Sequence, residues 1–311
     1  MTLRAALLTF RIQRFETVVI VGAAVASVVV SATVIWIFTS GGYSRCLTED
    51  APTISALCQS PIALWLSRIA RLSLGVVPVF PLVAGLLAGG PIVARELESG
   101  TARLAWSLGP SRLRWFVQRA LPILVMTGVA ALAVGLTAEA LLRLTSPQVD
   151  LENSFLGFRF RGPLLAVEAV VVATVALAIG SILGRMVPTI ILSLILVGGL
   201  VLAIDKVERS TLLAEATVAD AETYFWDDSN LSLESRLRFP DGQILSYEEA
   251  IRTHPEIDQG WDETSGIRSV ELYIPGSRYH DVERREGLAL GGVAIGFIAL
   301  AAVAVIRRRP R

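Results

Sequence analysis

Residues that commonly carry enzyme chemistry are scarce in this sequence. It contains one lysine, Lys206, and two histidines, His254 and His280. A phosphate-binding loop of the GxxxxGK type needs a lysine directly after a glycine, but Lys206 follows an aspartate, so we expect no such ATP site in the chain. HExxH motifs, four-ligand Cys/His spacings and GxSxG nucleophile elbows are also missing. Ser277, His280 and Asp281 lie too close together in sequence to favour a catalytic triad. We therefore expect no catalytic residue and no metal site.

Two carboxylates stand inside otherwise apolar stretches, Glu139 and Glu168. A carboxylate at membrane depth is costly unless it faces a wet cavity or a partner. One interpretation is that both line an outward-facing vestibule. The simpler interpretation is that Glu139 pairs with Arg143 one helical turn later and marks the membrane surface.

The densest polar block lies between two very apolar segments. Residues 94–115 read ARELESGTARLAWSLGPSRLRW and include two glutamates, four arginines and two tryptophans. We expect a helix to end at Ser99 and Gly100, because glycine readily takes the left-handed cap conformation. A short amphipathic helix then begins at Thr101, Gly109-Pro110 stops it, and Ser111 caps the next helix. An ordinary basic loop would explain the arginines, but it would need neither the acids nor the two breaks.

Composition places these residues in a membrane protein. The chain of 311 residues is 53% hydrophobic and 18% charged, with a mean hydropathy of +0.60. A membrane-spanning helix needs roughly 20 apolar residues. Six windows satisfy this requirement, at residues 17–39, 72–94, 120–143, 163–185, 188–205 and 287–306. Pro78 and Pro81 predict a kink in the second span, and glycine pairs at four-residue spacing, such as Gly85 and Gly89, predict close helix packing.

The distribution of charge predicts the orientation of the spans. Arginines cluster before span one, between spans two and three and after span six, and Arg185 lies between spans four and five. Basic residues remain preferentially on the cytoplasmic side. Both termini are therefore expected in the cytoplasm. Residues 205–286 contain 19 acidic and nine basic residues, a net charge of −10, which fits an external location.

The predicted organisation has four parts. Residues 1–16 form a basic amphipathic helix that lies on the inner membrane surface and contacts anionic lipid. Residues 17–204 hold spans one to five with the cytoplasmic loop 94–119. Residues 205–286 form an acidic external α+β domain, in which 205–226 continue span five as a helix, a hairpin follows near Pro240, and Ser246 with Glu249 forms a capping box. Residues 287–311 form span six and a basic tail.

Two cysteines, Cys46 and Cys58, both fall in the first external loop. Thiols outside the cytoplasm can oxidise, and a pair that closes a short loop predicts a disulfide.

The polar block resembles a known family. The run from Ala94 to Thr101, followed by RLAW at 103–106 and then Arg112, Arg114 and Trp115, is similar to the AREFExGTxRLAW…RxRW block of permease subunits of type-2 ABC exporters from high-GC bacteria. The resemblance extends more loosely to the six-span layout and to a late Tyr-x-Pro-x-Ser-Arg motif at Tyr273.

This resemblance implies a function and a fold. It implies an all-α polytopic membrane protein, like type V ABC exporters, with an interfacial helix, a coupling helix and a small external α+β domain, in a bacterial cytoplasmic membrane. It implies two separate ATPase subunits that bind ATP and Mg²⁺, and a dimer with itself or a homologous permease. It also implies a set of residues that couple to the ATPase: Arg95, Glu96, Glu98, Gly100, Thr101, Arg103, Leu104 and Trp106.

Two other functions fit the residues less well. A proton-driven secondary transporter would use Glu139 and Glu168 as carriers, but the two halves of the chain show no evident inverted repeat. A membrane-anchored resistance protein would bind a cationic peptide on its acidic external domain. No nucleic-acid partner is expected, and the sequence leaves the cargo open between lipid, drug and peptide.

Overall fold

The structure is a computed structural model, and it describes residues 10–11, 13–43, 58–108, 111–220, 229–255, 257 and 266–308. Helices dominate it. They are α1 (Arg14–Ser40), α2 (Pro61–Val76), α3 (Phe80–Glu98), α4 (Thr101–Leu108), α5 (Arg112–Thr145), α6 (Gly162–Leu183), α7 (Met186–Leu213), α8 (Tyr247–Thr253) and α9 (Tyr279–Arg307). The strands are β1 (Thr217–Asp220), β2 (Leu231–Arg238), β3 (Ile244–Ser246) and β4 (Arg268–Ile274).

The six predicted membrane spans are confirmed. Helices α1, α5, α6, α7 and α9, together with the α2–α3 pair, are long and apolar enough to cross a membrane. The kink in the second span is also confirmed, because a 3-10 turn at Val77–Val79 separates α2 from α3 at Pro78. Proline removes a backbone donor and disrupts the regular helix at this point. The chain is a polytopic, mainly α-helical membrane protein.

The chain divides into two compact units. The helical unit contains Met1–Pro147, Arg159–Leu200 and Glu283–Arg311, and the sheet unit contains Gln148–Phe158 and Val201–Val282. In the helical unit α6 is the central element. Of the residues in its most apolar segment 72% are buried, whereas the corresponding value for α7 is 17%. Spans two, three and four therefore form the packed core of the helical unit.

Small residues bring α3 and α6 into backbone contact. A Cβ atom added at Gly89 would lie 2.8 Å from the carbonyl carbon of Ala173, and one at Gly85 would lie 2.7 Å from Cγ1 of Val172. Glycine alone permits this approach, which in lipid is a principal source of helix association. The packing predicted from these two glycines is confirmed. Around Gly287, Gly291, Gly292 and Gly296 of α9, the described part of the chain leaves open space.

The sheet unit holds one antiparallel sheet in the order β1-β4-β2-β3. The predicted hairpin is present, because β2 and β3 pair with Leu237 opposite Leu245. The capping box is also present, since the side chains of Ser246 and Glu249 each accept a hydrogen bond from the other residue's backbone N–H. The helix expected from Asp205 to Trp226 is wrong beyond Leu213, where α7 ends and the chain enters β1. Residues 221–226 lie outside the described residues.

Two other predictions fall mainly outside the described residues. Of the interfacial helix at 1–16, residues 1–9 and 12 lie outside them, and α1 already begins at Arg14. Cys58 is buried, while Cys46 lies outside the described residues, so the disulfide stays a prediction.

Candidate functional site

The polar block folds as two helix ends joined by a short amphipathic helix. α3 ends at Glu98, and Gly100 adopts a left-handed backbone with φ of +75°, as expected for a residue just beyond a helix. The Thr101 hydroxyl donates to the Glu96 carbonyl oxygen at 3.3 Å, which holds the start of α4 against the end of α3. Ser111 then caps α5, because its Oγ accepts a hydrogen bond from the Arg114 N–H at 3.2 Å. Gly109 and Pro110 lie outside the described residues.

The two faces of α4 have different environments. Ala102 is fully buried in the core cluster of the helical unit, and Ala105 and Trp106 pack against that cluster. Leu104 faces the other way and is 64% exposed, and Thr101 and Ser107 are also exposed. Residues 101, 104 and 107 are three apart and therefore share one helical face. α4 is thus fixed on one side and presents a leucine on the other.

Tryptophan packing holds α4 to the start of α5. The indole rings of Trp106 and Trp115 meet edge to face, with centroids 5.7 Å apart and planes at 86°. The guanidinium carbon of Arg112 lies 4.9 Å from the centroid of the Trp106 ring, which is a cation–π distance. This packing restricts the rotation of α4 about its own axis.

Charged side chains join the same end of spans one, two and three. Arg95 of α3 lies 3.6 Å from Glu16 in the first turn of α1. Glu96 of α3 forms an ion pair with Arg119 of α5 at 3.3 Å, with side chains only 12% and 16% exposed. Removal of one partner from such a buried pair leaves an uncompensated charge and costs on the order of 3–5 kcal/mol.

Three further contacts place a charged side chain at a helix end of complementary polarity. The Glu98 carboxylate accepts a hydrogen bond from the Met186 N–H, the first residue of α7, at 2.9 Å. Arg112 donates to the Ile306 carbonyl oxygen at 3.0 Å, in the last turn of α9. Arg308 donates to the Ser181 carbonyl oxygen of α6 at 2.9 Å. Helix N-termini carry unpaired N–H groups and partial positive charge, and C-termini the reverse, so each contact has a favourable sign.

Together these five contacts form what we call the helix-end network. Its members are Glu16, Arg95, Glu96, Glu98, Arg112, Arg119 and Arg308 with the backbone groups of Ser181, Met186 and Ile306. The network includes one end of each of the six spans. Because a chain that crosses a membrane six times has the starts of spans one, three and five on the same side as the ends of spans two, four and six, the contacts agree with the predicted threading.

The predicted coupling residues differ in their exposure. Arg95, Glu98, Thr101 and Leu104 have exposed side chains. Glu96 and Trp106 are internal and hold the loop in place, and Gly100 supplies the left-handed turn. The side chain of Arg103 lies outside the described part.

Sequence reasoning missed Arg112, Arg119 and Arg308 as structural contacts, because it used all three to orient the chain and Arg112 also for the family resemblance. An arginine within one residue of a helix end is a recognisable signal for a cap on a neighbouring helix. The carbonyl oxygens that such an arginine reaches cannot be identified before the packing is known.

The two intramembrane carboxylates follow the simpler interpretation at one position. Glu139 accepts a hydrogen bond from Arg143 at 3.0 Å, one turn later on α5. Glu168 of α6 is half-buried and has its own polar contacts. Among the described residues no group of three or more metal-ligating side chains converges.

A comparison with protein families decides the classification. The profile of the ABC-2 membrane transporter related family matches residues 17–209, which is more than half of the chain. The chain belongs to this family. The match covers α1 to most of α7, so the polar block and α4 fall inside the family region, while the strands and α9 fall outside it. No curated protein and no solved structure matches the chain.

Membership of the ABC-2 family gives the helical unit a general role. The family consists of membrane components of ABC transporters, so the chain is a multi-pass membrane protein with a permease role. ABC transporters work with ATPase partners, so membership of the family implies such a complex for this chain.

Proposed function

We propose that the chain is the membrane subunit of an ATP-driven ABC exporter, and that α4 is the element that docks on a separate ATPase subunit. The observation that carries this proposal is the exposed Leu104 on a helix whose opposite face is fixed by Trp106 and Trp115. A rigid helix with an exposed leucine side chain suits insertion into a cleft of a partner.

The energy of such docking depends mainly on Leu104. Burial of an exposed leucine side chain contributes about 1.5–3 kcal/mol. The end of α3 that precedes α4 carries exposed charged residues, with the side chain of Arg95 59% exposed and Glu98 also exposed. An apolar centre with a charged rim is the usual composition of a specific protein interface.

Side-chain contacts connect α4 directly to two membrane-spanning helices. The Thr101 hydroxyl joins α4 to α3, and the Trp106 stack joins it to α5. Two ATPase subunits that close around ATP and Mg²⁺ would move two copies of α4, one on each chain of a permease dimer. The network then transfers the displacement to the ends of the other spans. Covalent chemistry takes place in the ATPase and not in this chain.

The proposed docking of an ATPase on α4 also determines which side of the membrane each part of the chain occupies. The face that carries the helix-end network is cytoplasmic, and both termini lie on that side of a bacterial cytoplasmic membrane. The acidic residues 205–286 are then outside. Membrane lipid contacts the exposed apolar faces of α1, α7 and α9.

The test is recovery of an ATPase from gently solubilised native membranes. A tagged parent chain should co-purify with an ATPase that mass spectrometry identifies by its GxxxxGK loop. Leu104→Glu should weaken this recovery at least tenfold, because it loses about 1.5–3 kcal/mol of apolar burial and buries a charge.

A matched control is available in the sheet unit. Tyr247 begins α8 and is 50% exposed, so Tyr247→Glu introduces the same charge at a similarly exposed position of the other unit. It should recover the ATPase as the parent does. A parent preparation without any ATPase that still transports in vesicles would refute the proposal and favour a proton-driven carrier that uses Glu139 and Glu168.

A further inference from the structure

We infer that Arg112 is a positioning residue that links α4 to span six, and that it carries the movement of the docking helix to the end of α9. The inference rests on the proposed function, since it concerns how the docking of an ATPase on α4 reaches a distant span. Spans two and three flank α4 in the chain, and span one contacts span two through Glu16 and Arg95. α9 lies far from α4 in the sequence, so it needs a side-chain contact to move with it.

One guanidinium group contacts both elements. Its carbon lies 4.9 Å from the Trp106 ring centroid on α4, and its Nη1 atom donates to the Ile306 carbonyl oxygen at 3.0 Å and also to the Arg308 carbonyl oxygen. A guanidinium is planar, so one face can stack on an indole while its edge donates to carbonyl groups. Few side chains can make both contacts at once.

The contact of Arg112 with α9 is stabilising because it lies at the C-terminal end of that helix. The last four carbonyl groups of a helix lack intrahelical partners and carry partial negative charge. A shift of α4 that moves Arg112 must either break its two hydrogen bonds to this end or move the end with it. The second outcome conserves the hydrogen bonds.

The connection continues from α9 to α6. Arg308, whose carbonyl group accepts from Arg112, uses its own guanidinium to cap α6 at the Ser181 carbonyl oxygen. Gly184 provides the space, because a Cβ atom there would lie 3.0 Å from the Arg308 guanidinium carbon. Arg112 and Arg308 thus act in series between α4, span six and the central span four.

A neighbouring arginine makes a matched control. Arg114 lies on the same first turn of α5 with the same charge, but its side chain is exposed and makes no hydrogen bond or ion pair within the described residues. If the arginines here served orientation alone, the two positions would be equivalent.

The experiment measures whether α4 and span six move together in the complex with its co-purified ATPase. Spin labels are attached through an unnatural keto amino acid, so that native cysteines take no label. One pair joins Ser107 on α4 to Val129 in the middle of α5, and the other joins Val303 on α9 to Val129. Distances are measured without nucleotide and after trapping with ATP and vanadate.

Both distances should shift in the parent and in Arg114→Ala. In Arg112→Ala the α4 distance should still shift, while the shift of the α9 distance should be lost. Arg112→Lys keeps the charge and the donor without the planar stack, and should restore part of the α9 shift.

The outcomes separate the two proposals. If no ATPase co-purifies with the parent, the docking function fails. If the ATPase co-purifies but the α4 distance does not change in the parent, the link is overturned and the docking function stands. If α4 shifts and Arg112→Ala retains a parent-sized α9 shift, only the link is overturned. If Arg112→Ala does not assemble, a parent-sized α9 shift in Arg112→Lys overturns the link, and a reduced shift supports it.

Discussion

Replacement of Gly89 by alanine tests the close packing of α3 on α6. The new Cβ atom would lie 2.8 Å from the Ala173 carbonyl carbon. Favourable contacts between carbon atoms need about 3.5–4.0 Å, so the helices would have to separate by about 1 Å. Overpacking of this kind typically costs about 1–3 kcal/mol. The expected result is a destabilised helical unit, although alanine is the better helix former by about 1 kcal/mol.

Gly22 on α1 supplies the control for this substitution. A Cβ atom there meets nothing within 4 Å among the described residues. Gly22→Ala should therefore be neutral or stabilising, because only the gain in helix propensity remains. Reversible unfolding in mixed micelles, with free energies from denaturing-detergent titration, should find Gly89→Ala less stable than the parent and Gly22→Ala at least as stable as the parent. Equal stability of Gly89→Ala and Gly22→Ala would refute the backbone contact between α3 and α6.

Two smaller predictions concern helix ends. Glu98→Ala removes the acceptor for the first N–H of α7 and should destabilise that end by about 0.5–2 kcal/mol, seen as faster amide exchange in its first turn, whereas Glu98→Gln should retain part of the protection. In α8, the hydrogen bond from the backbone N–H of Ser246, followed by that from its side chain, holds the pKa of Glu249 below its ordinary value. The ionised carboxylate therefore stabilises α8 above the ordinary carboxyl pKa, and this stabilisation is lost as the pH falls through the lowered pKa. Titration by NMR should show the pKa of Glu249 rise only part of the way to its ordinary value in Ser246→Ala, because the variant loses the hydroxyl donor and keeps the backbone N–H. An unchanged pKa would contradict the contribution of the Ser246 hydroxyl.

Features that depend on neighbouring residues were predictable from the sequence. The six spans, the break near Pro78, the cap at Ser111 and the capping box at Ser246 all follow from hydropathy or from residues within four positions. The left-handed turn at Gly100 follows in the same way. These local signals fix where elements begin and end.

The partners of residues that are far apart in sequence were not predictable. Glu98 reaches the backbone of Met186, 88 residues later, and Arg112 reaches that of Ile306, 194 residues later. Nothing in a single sequence pairs such positions. The faces of α4 were equally ambiguous, since Leu104 and Trp106 are both large and apolar, and only the position of Trp115 decides which one turns inward. The short strand β1 was missed because it forms its ladder only with β4, about fifty residues away in the chain.

The edge-to-face pair of Trp106 and Trp115 gives this protein an intrinsic optical reporter. Two indoles 5.7 Å apart couple their electronic transitions, and the circular dichroism that results depends on the angle between the rings. Any partner that tilts α4 changes this angle without the introduction of a dye. Near-ultraviolet spectra could therefore follow the orientation of α4 in native lipid, in real time.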